Sequence, residues 1–146
     1  MNASNLKKAV ELRHTLHQYP ELSMHEVQTK RRLIEFLRDN TNLEIIDKGK
    51  WFYAVYRADK SGRNIAFRAD MDAIPVEESA NFVLYASRNH GVSHKCGHDG
   101  HCASMAAFAL ELNERQDIDK NIFLLFQHAE ETGLGAKECL SWELSL

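Results

Sequence analysis

Apolar residues recur at helical spacing through the first forty positions. Leu6, Ala9, Val10 and Leu16, with Arg13 and His17 beside them, describe one amphipathic helix. Pro20 ends it, because a prolyl ring cannot continue an α-helix. A second helix follows Ser23-Met24-His25-Glu26, where a Ser with a Glu three residues on has the form of a capping box. It is expected to turn Val27, Leu33, Ile34 and Leu37 inward and Lys30, Arg31, Arg32 and Arg38 outward. After a polar break at residues 39–42 the pattern changes. Short apolar runs at 43–46, 51–57 and 64–69 are separated by turn signals at 48–50 and 59–62. They read as three strands, the third buried around Ile65, Ala66 and Phe67. An Ala-rich helix is predicted from about residue 99 to 113. Residues 121–126, Asn-Ile-Phe-Leu-Leu-Phe, are the continuous apolar run of a central strand covered on both faces. A short helix is expected from 136 to about 140. Residues 77–92 carry few structural signals and read as a long loop, of the kind that is often functional. Alternating strands and helices indicate an α/β layered domain. There is no internal repeat and no low-complexity segment.

Composition narrows the partners. At 146 residues, 44% apolar and 27% charged, the chain suits one domain with one core. The net charge is −3 and like charges form no long block, which argues against a nucleic-acid or membrane-surface role. No apolar run approaches the roughly 20 residues of a membrane span, and the first 13 residues lack the apolar core of a signal peptide. Three cysteines (Cys96, Cys102, Cys139) are too few and odd for a disulfide frame, so free thiols and a cytoplasmic location are expected.

Candidate chemistry concentrates at His94-Lys95-Cys96-Gly97-His98-Asp99-Gly100-His101. Four of the eight histidines (His90, His94, His98, His101) fall within twelve positions. A thiol, three imidazoles and a carboxylate are metal ligands or proton carriers, and the two glycines let the backbone turn tightly. Cys96 and His98 would stand at or just before a helix N-terminus, whose dipole favours a thiolate. A His-rich surface loop, or a buried Cys among core histidines, has the same composition. A structural zinc finger is disfavoured: no second Cys/His pair follows at finger spacing, and Cys102 falls inside the helix. Two carboxylates close a strand at Asp70-Met71-Asp72, and two more follow the central strand at Glu130-Glu131. Strand C-terminal edges are where open α/β sheets hold ligands, although turn-forming Asp before Pro75 and a solvated Glu pair read equally simply. Together these strand ends and the helix start at Cys96 converge on one crevice. A hydrolytic metal site needs ligands, an open position for water and a base beside it; of two adjacent glutamates, one can bind metal while the other takes the proton. Arg13-His14-x-x-His17 puts two imidazoles on one helix face, as packing polars or as chemistry.

Four segments resemble, in order, the amidohydrolases of the aminoacylase, hippurate hydrolase and auxin-conjugate hydrolase type, which are dinuclear metallopeptidases. They are Arg13-His14-Thr15-Leu16-His17-Gln18-Tyr19-Pro20-Glu21-Leu22-Ser23; Phe67-Arg68-Ala69-Asp70-Met71-Asp72-Ala73-Ile74-Pro75; the His94 to His101 cluster; and Phe126-Gln127-His128-Ala129-Glu130-Glu131 with Gly135-Ala136. The resemblance implies a zinc-peptidase-like layered catalytic domain, a mixed sheet flanked by helices, and a site for two divalent ions, zinc or manganese first, with nickel or cobalt also admitted. It implies hydrolysis of the amide bond of an N-acyl amino acid or similar conjugate. By position, Cys96, His98 and Glu131 correspond to metal ligands and Glu130 to the general base. Asp72 corresponds to the acidic residue behind the site, and His94 and His101 to supporting positions. Where the family usually has Pro, this chain has His128. Family members are far longer, adding further histidine ligands and a lid and dimerisation domain. Residues 1–137 are therefore expected to form the N-terminal part of the catalytic domain, with 138–146 a tail unlike the family. Two functional readings follow: an amidohydrolase of weak or no activity in this chain, or a non-catalytic remnant or interaction fragment. A plain thiol/His protein holding one adventitious metal is a third. Oligomeric state is left open.

Overall fold

The computed structural model describes residues 2–58, 63–79 and 83–141. The turn expected at 59–62 and the last five residues of the tail lie outside the described residues. Helix α1 runs Ala3–Gln18. Asn2 caps it, its side chain accepting the Asn5 N–H at 2.8 Å. Helix α2 is Val27–Asn40, followed by β1 (Glu44–Asp47), β2 (Phe52–Tyr56), β3 (Asn64–Asp70), α3 (His98–Asn113), β4 (Asn121–Gln127) and α4 (Leu134–Ser141). The α/β expectation holds, and each predicted element forms within a few residues of its expected bounds.

The sheet order is β1-β2-β4-β3. β1 and β2 pair antiparallel, β2 and β4 antiparallel, and β3 and β4 parallel. The last strand in the chain is thus an inner one, as its unbroken apolar run requires. Side chains alternate across the sheet. Phe52, Ala54, Ile122, Leu124 and Phe126 pack with Leu12, Leu16, Leu33, Leu37, Met105 and Ala109 of the three long helices. Tyr53, Val55 and Phe123 face the other way, with Trp51 and Cys139 of α4. Phe52 and Phe126 stack with ring centroids 4.6 Å apart.

Three local expectations need correction. β3 is not buried at its heart: Ile65 is 37% and Phe67 42% exposed. It is the outer strand of this sheet; Ala69 at its end is buried against α3, while Phe67 meets Phe108 of α3 edge-on and stays partly open to solvent. Val27 is 67% exposed rather than inward. The capping box does not form either. Glu26 is itself the residue before α2 and makes no capping bond, while Ser23 turns away. Glu21 caps instead, its carboxylate accepting the Gln28 and Thr29 N–H groups at 3.2 and 2.7 Å.

Beyond β4 the chain doubles back tightly on itself. The Gly135 N–H donates to Ala129 O at 3.1 Å, and a β-carbon on Gly135 would stand 1.6 Å from the His128 carbonyl oxygen. Backbone cannot yield to that overlap as a side-chain tip would. Gly135→Ala is therefore expected to lose about 3 kcal/mol or more of stability, read from the urea midpoint against wild type. A loss below about 1 kcal/mol would contradict the close approach.

Candidate metal centre

Parallel pairing brings two strand ends to one edge. Asp70 lies opposite Gln127, and the Met71 N–H extends the ladder by donating to Gln127 O at 2.8 Å. Asp72 and the turn holding Glu130 and Glu131 therefore emerge side by side. Gly97, at φ +88, turns the chain into α3, so that His98 begins the helix at the same edge.

Asp72 is fully buried, and its contacts come from three other segments. Its Oδ2 accepts from Ser23 Oγ at 2.6 Å and from the Glu131 N–H at 2.9 Å, and its Oδ1 lies 3.3 Å from His98 Nδ1. Burial alone would raise its pKa, but these contacts, that of His98 foremost, hold it well below the usual carboxylate range. His98 Nδ1 also stands 2.8 Å from the Asp72 carbonyl oxygen. A carbonyl only accepts, so Nδ1 carries the hydrogen. Nε2 then faces outward, 3.9 Å from Glu130 Oε2 and 3.9 Å from Glu131 Oε1. Donor atoms of Cys96, His98 and Glu131 all lie within 4.8 Å of one another. Without metal the site favours protons. The Asp72 side chain raises the His98 pKa to about 9. The expected thiolate is corrected too: hydrogen bonding to the Glu131 carboxylate, then burial, pushes the Cys96 thiol up to about 11, outweighing the dipole of α3. An imidazole aimed by its far nitrogen, a thiol and carboxylates around one point are a donor set that suits a divalent cation, which would replace those protons.

Other sequence candidates distribute around this point. Asp70 is drawn to Arg68, whose Nε and Nη2 donate to it at 2.8 and 3.3 Å. Asp70, His98 and His101 also bring donor atoms within 4.8 Å, with His101 exposed. His94 is buried with neither ring nitrogen hydrogen-bonded, and burial lowers its pKa to about 4. His128 is fully buried, its Nε2 3.2 Å from Glu138. His90 lies outside the site, exposed and 2.9 Å from Glu77.

Two further sets of residues meet here: Ser23 and Glu26 were not foreseen as site residues, whereas His17 belongs to the Arg13-His14-x-x-His17 motif already read as packing polars or as chemistry. Ser23 and Glu26 look like helix caps in sequence but serve the site; the Pro20-Glu21-Leu22-Ser23 segment was the available signal. His17 is held between two carboxylates, 2.8 Å from Asp99 and 3.1 Å from Glu78, with Arg13 on Asp99 and Lys95 on Glu78. This network fastens the 77–92 loop to α1 and to the start of α3.

The profile of Peptidase family M20/M25/M40 matches residues 66–145. The chain belongs to that family. It is 39% identical over 143 residues to an N-acetyl-L-cysteine deacetylase of Bacillus subtilis, covering 96% of this chain and 34% of the relative. An uncharacterised hydrolase of Staphylococcus epidermidis is 39% identical over 131 residues, covering 88% of this chain and 34% of the relative. A solved Bacillus subtilis structure, described as a dinuclear metal binding peptidase from the M20 family, superposes with a TM-score of 0.90 at 35% identity, over 96% of this chain and 40% of that one. The chain thus spans about a third of the length of the curated relatives it matches. This M20 fold carries the mixed sheet and flanking helices expected of a zinc-peptidase-like domain.

The loop network is sensitive to acid. Burial would raise the Glu78 pKa, but Lys95, the Ser87 N–H and His17 hold it at about 2, below its ordinary 4.5. A depressed carboxylate contributes stability that is full above the ordinary value and lost as pH falls through 4.5 towards 2. Glu78→Gln is therefore expected to narrow the gap in urea midpoint between pH 7 and pH 2.5. An unchanged gap would remove Glu78 from the acid response.

Proposed function

We propose that this M20 chain is built for metal-dependent amide hydrolysis of N-acyl amino acids or similar small conjugates. Cys96, His98 and Glu131 hold a divalent ion, and Glu130 is the general base. The observation that carries this reading is the orientation of His98: its Nδ1–H is consumed by the Asp72 carbonyl, so its Nε2 is the nitrogen presented beside both glutamates. A divalent ion held there supplies Lewis acidity, lowering the pKa of a water molecule towards about 7 and polarising the scissile carbonyl. Thiolate with imidazole favours zinc, while the carboxylates also admit manganese, nickel or cobalt. Three ligands from this chain suffice for one ion; a second needs donors beyond them.

The side chains divide the remaining work. Asp72 fixes the ring of His98 and, through the Glu131 N–H, the turn that carries both glutamates. Glu130 is 37% exposed in its side chain and free to meet solvent and substrate, with Arg68 Nη2 3.8 Å from its Oε1. It takes a proton from the attacking water and returns it to the departing amine nitrogen as the C–N bond breaks. The interaction-fragment reading draws on a different observation, the exposed apolar side chains of β3. The thiols of Cys96, Cys102 and Cys139 are free, and no described helix is long and apolar enough to cross a membrane.

Metal counting tests the centre. The purified chain, dialysed against dilute zinc or manganese, is expected to retain close to one equivalent, which Cys96→Ser abolishes. Glu130→Gln is expected to retain the metal yet cut hydrolysis of N-acetyl amino acids by about 10²–10⁴-fold. N-acetyl-L-cysteine heads the panel because the Bacillus subtilis relative is named for it. Absence of metal from the wild-type chain would overturn the assignment.

A further inference from the structure

Residues 23–26 have the form of a helix cap, yet both side chains reach the far strand ends. Ser23 Oγ donates to Asp72 Oδ2, the oxygen that also accepts the Glu131 N–H. Glu26 spans 103 positions: its Oε1 accepts the Ala129 N–H at 2.7 Å. Ala129 is fully buried and lies past the end of β4, so its amide has no strand partner. It sits at φ +48, one of two non-glycine residues with positive φ among the described residues, a conformation that an alanine resists. Glu130 and Glu131 follow it at once, so the direction in which the chain leaves Ala129 decides where both carboxylates point. Glu26, only 5% exposed, is a rigid acceptor supplied from another part of the fold.

We propose that Glu26 is a positioning residue, a clamp that holds Ala129 left-handed and thereby aims Glu130 and Glu131 at the metal centre. The inference rests on the proposed roles of those two glutamates; the clamp itself stands on the Ala129 contact. Removing it leaves a buried amide unpaired and releases the turn, so the ligand set loses its alignment before its chemistry.

The test uses Glu26→Asp, one methylene too short to reach the Ala129 amide, beside Glu26→Gln, which keeps an accepting oxygen without the charge. Amide hydrogen exchange is measured by NMR on the metal-free chain. Cobalt(II) affinity is then measured from the thiolate-to-cobalt absorption band. In Glu26→Asp, exchange at Ala129 and Glu131 is expected to quicken about tenfold or more while β2 amides are unchanged, and cobalt affinity to fall by about 10–100-fold. Glu26→Gln is expected to restore both to near wild type. Unchanged exchange in Glu26→Asp overturns the clamp, and so does Glu26→Gln matching Glu26→Asp, since charge rather than the hydrogen bond would then be responsible. A wild-type chain with no cobalt-thiolate band defeats the metal reading, while the exchange comparison still decides the clamp.

Discussion

A buried carboxylate with no room for solvent organises this structure. Asp72 joins four segments distant in sequence: the bend before α2 through Ser23, the end of β3 on which it rides, the start of α3 through His98, and the turn after β4 through the Glu131 N–H. Such a group is stable inside a protein only when its oxygens are matched by donors. The backbone carbonyl of Asp72 accepts the His98 Nδ1–H and so fixes the orientation of that ring. The contacts that bury this carboxylate are therefore the ones that set the geometry of the candidate site.

The layers around it supply the rigidity those bonds need. β4 is packed on both faces, and its aromatic contact with β2 locks the relative height of the two strands. That locking fixes how far the chain has advanced when it leaves the sheet edge. Glu130 and Glu131 follow β4 by only a few residues, so little slack separates core packing from site geometry. On the other side, α3 is anchored against β3 and α1, and its first residue is His98.

The elements were legible because each has a period and a stop. Leu33, Ile34 and Leu37 repeat as a helix must, Pro20 ends α1, and residues 121–126 allow no reading but a covered strand. The cluster at residues 94–101 was legible because ligand-type side chains and glycines rarely crowd so closely. What was hidden is long-range. The Ser23 and Glu26 pattern is compatible with a local cap, and only the fold decides that Glu21 caps while Ser23 and Glu26 turn to the opposite edge. The exposure of Phe67 was hidden for a similar reason. An apolar strand looks alike in sequence whether it has one neighbour or two. The rise in the Cys96 thiol pKa without metal was hidden because the helix dipole can be read from position, whereas the opposing Glu131 carboxylate comes from 35 residues away.

The placement of β4 also constrains assembly in time. β1 and β2 are close in sequence and can pair as soon as both are made. β3 ends at residue 70, but its strand partner begins at residue 121. On a growing chain, β3 must therefore wait through the synthesis of some fifty residues with its backbone groups unmatched. Non-local pairing of this kind slows folding and lengthens the interval in which apolar segments meet other chains. The parallel neighbour that brings Asp72 beside the Glu130 turn is thus also the pairing of this sheet that forms late on a growing chain.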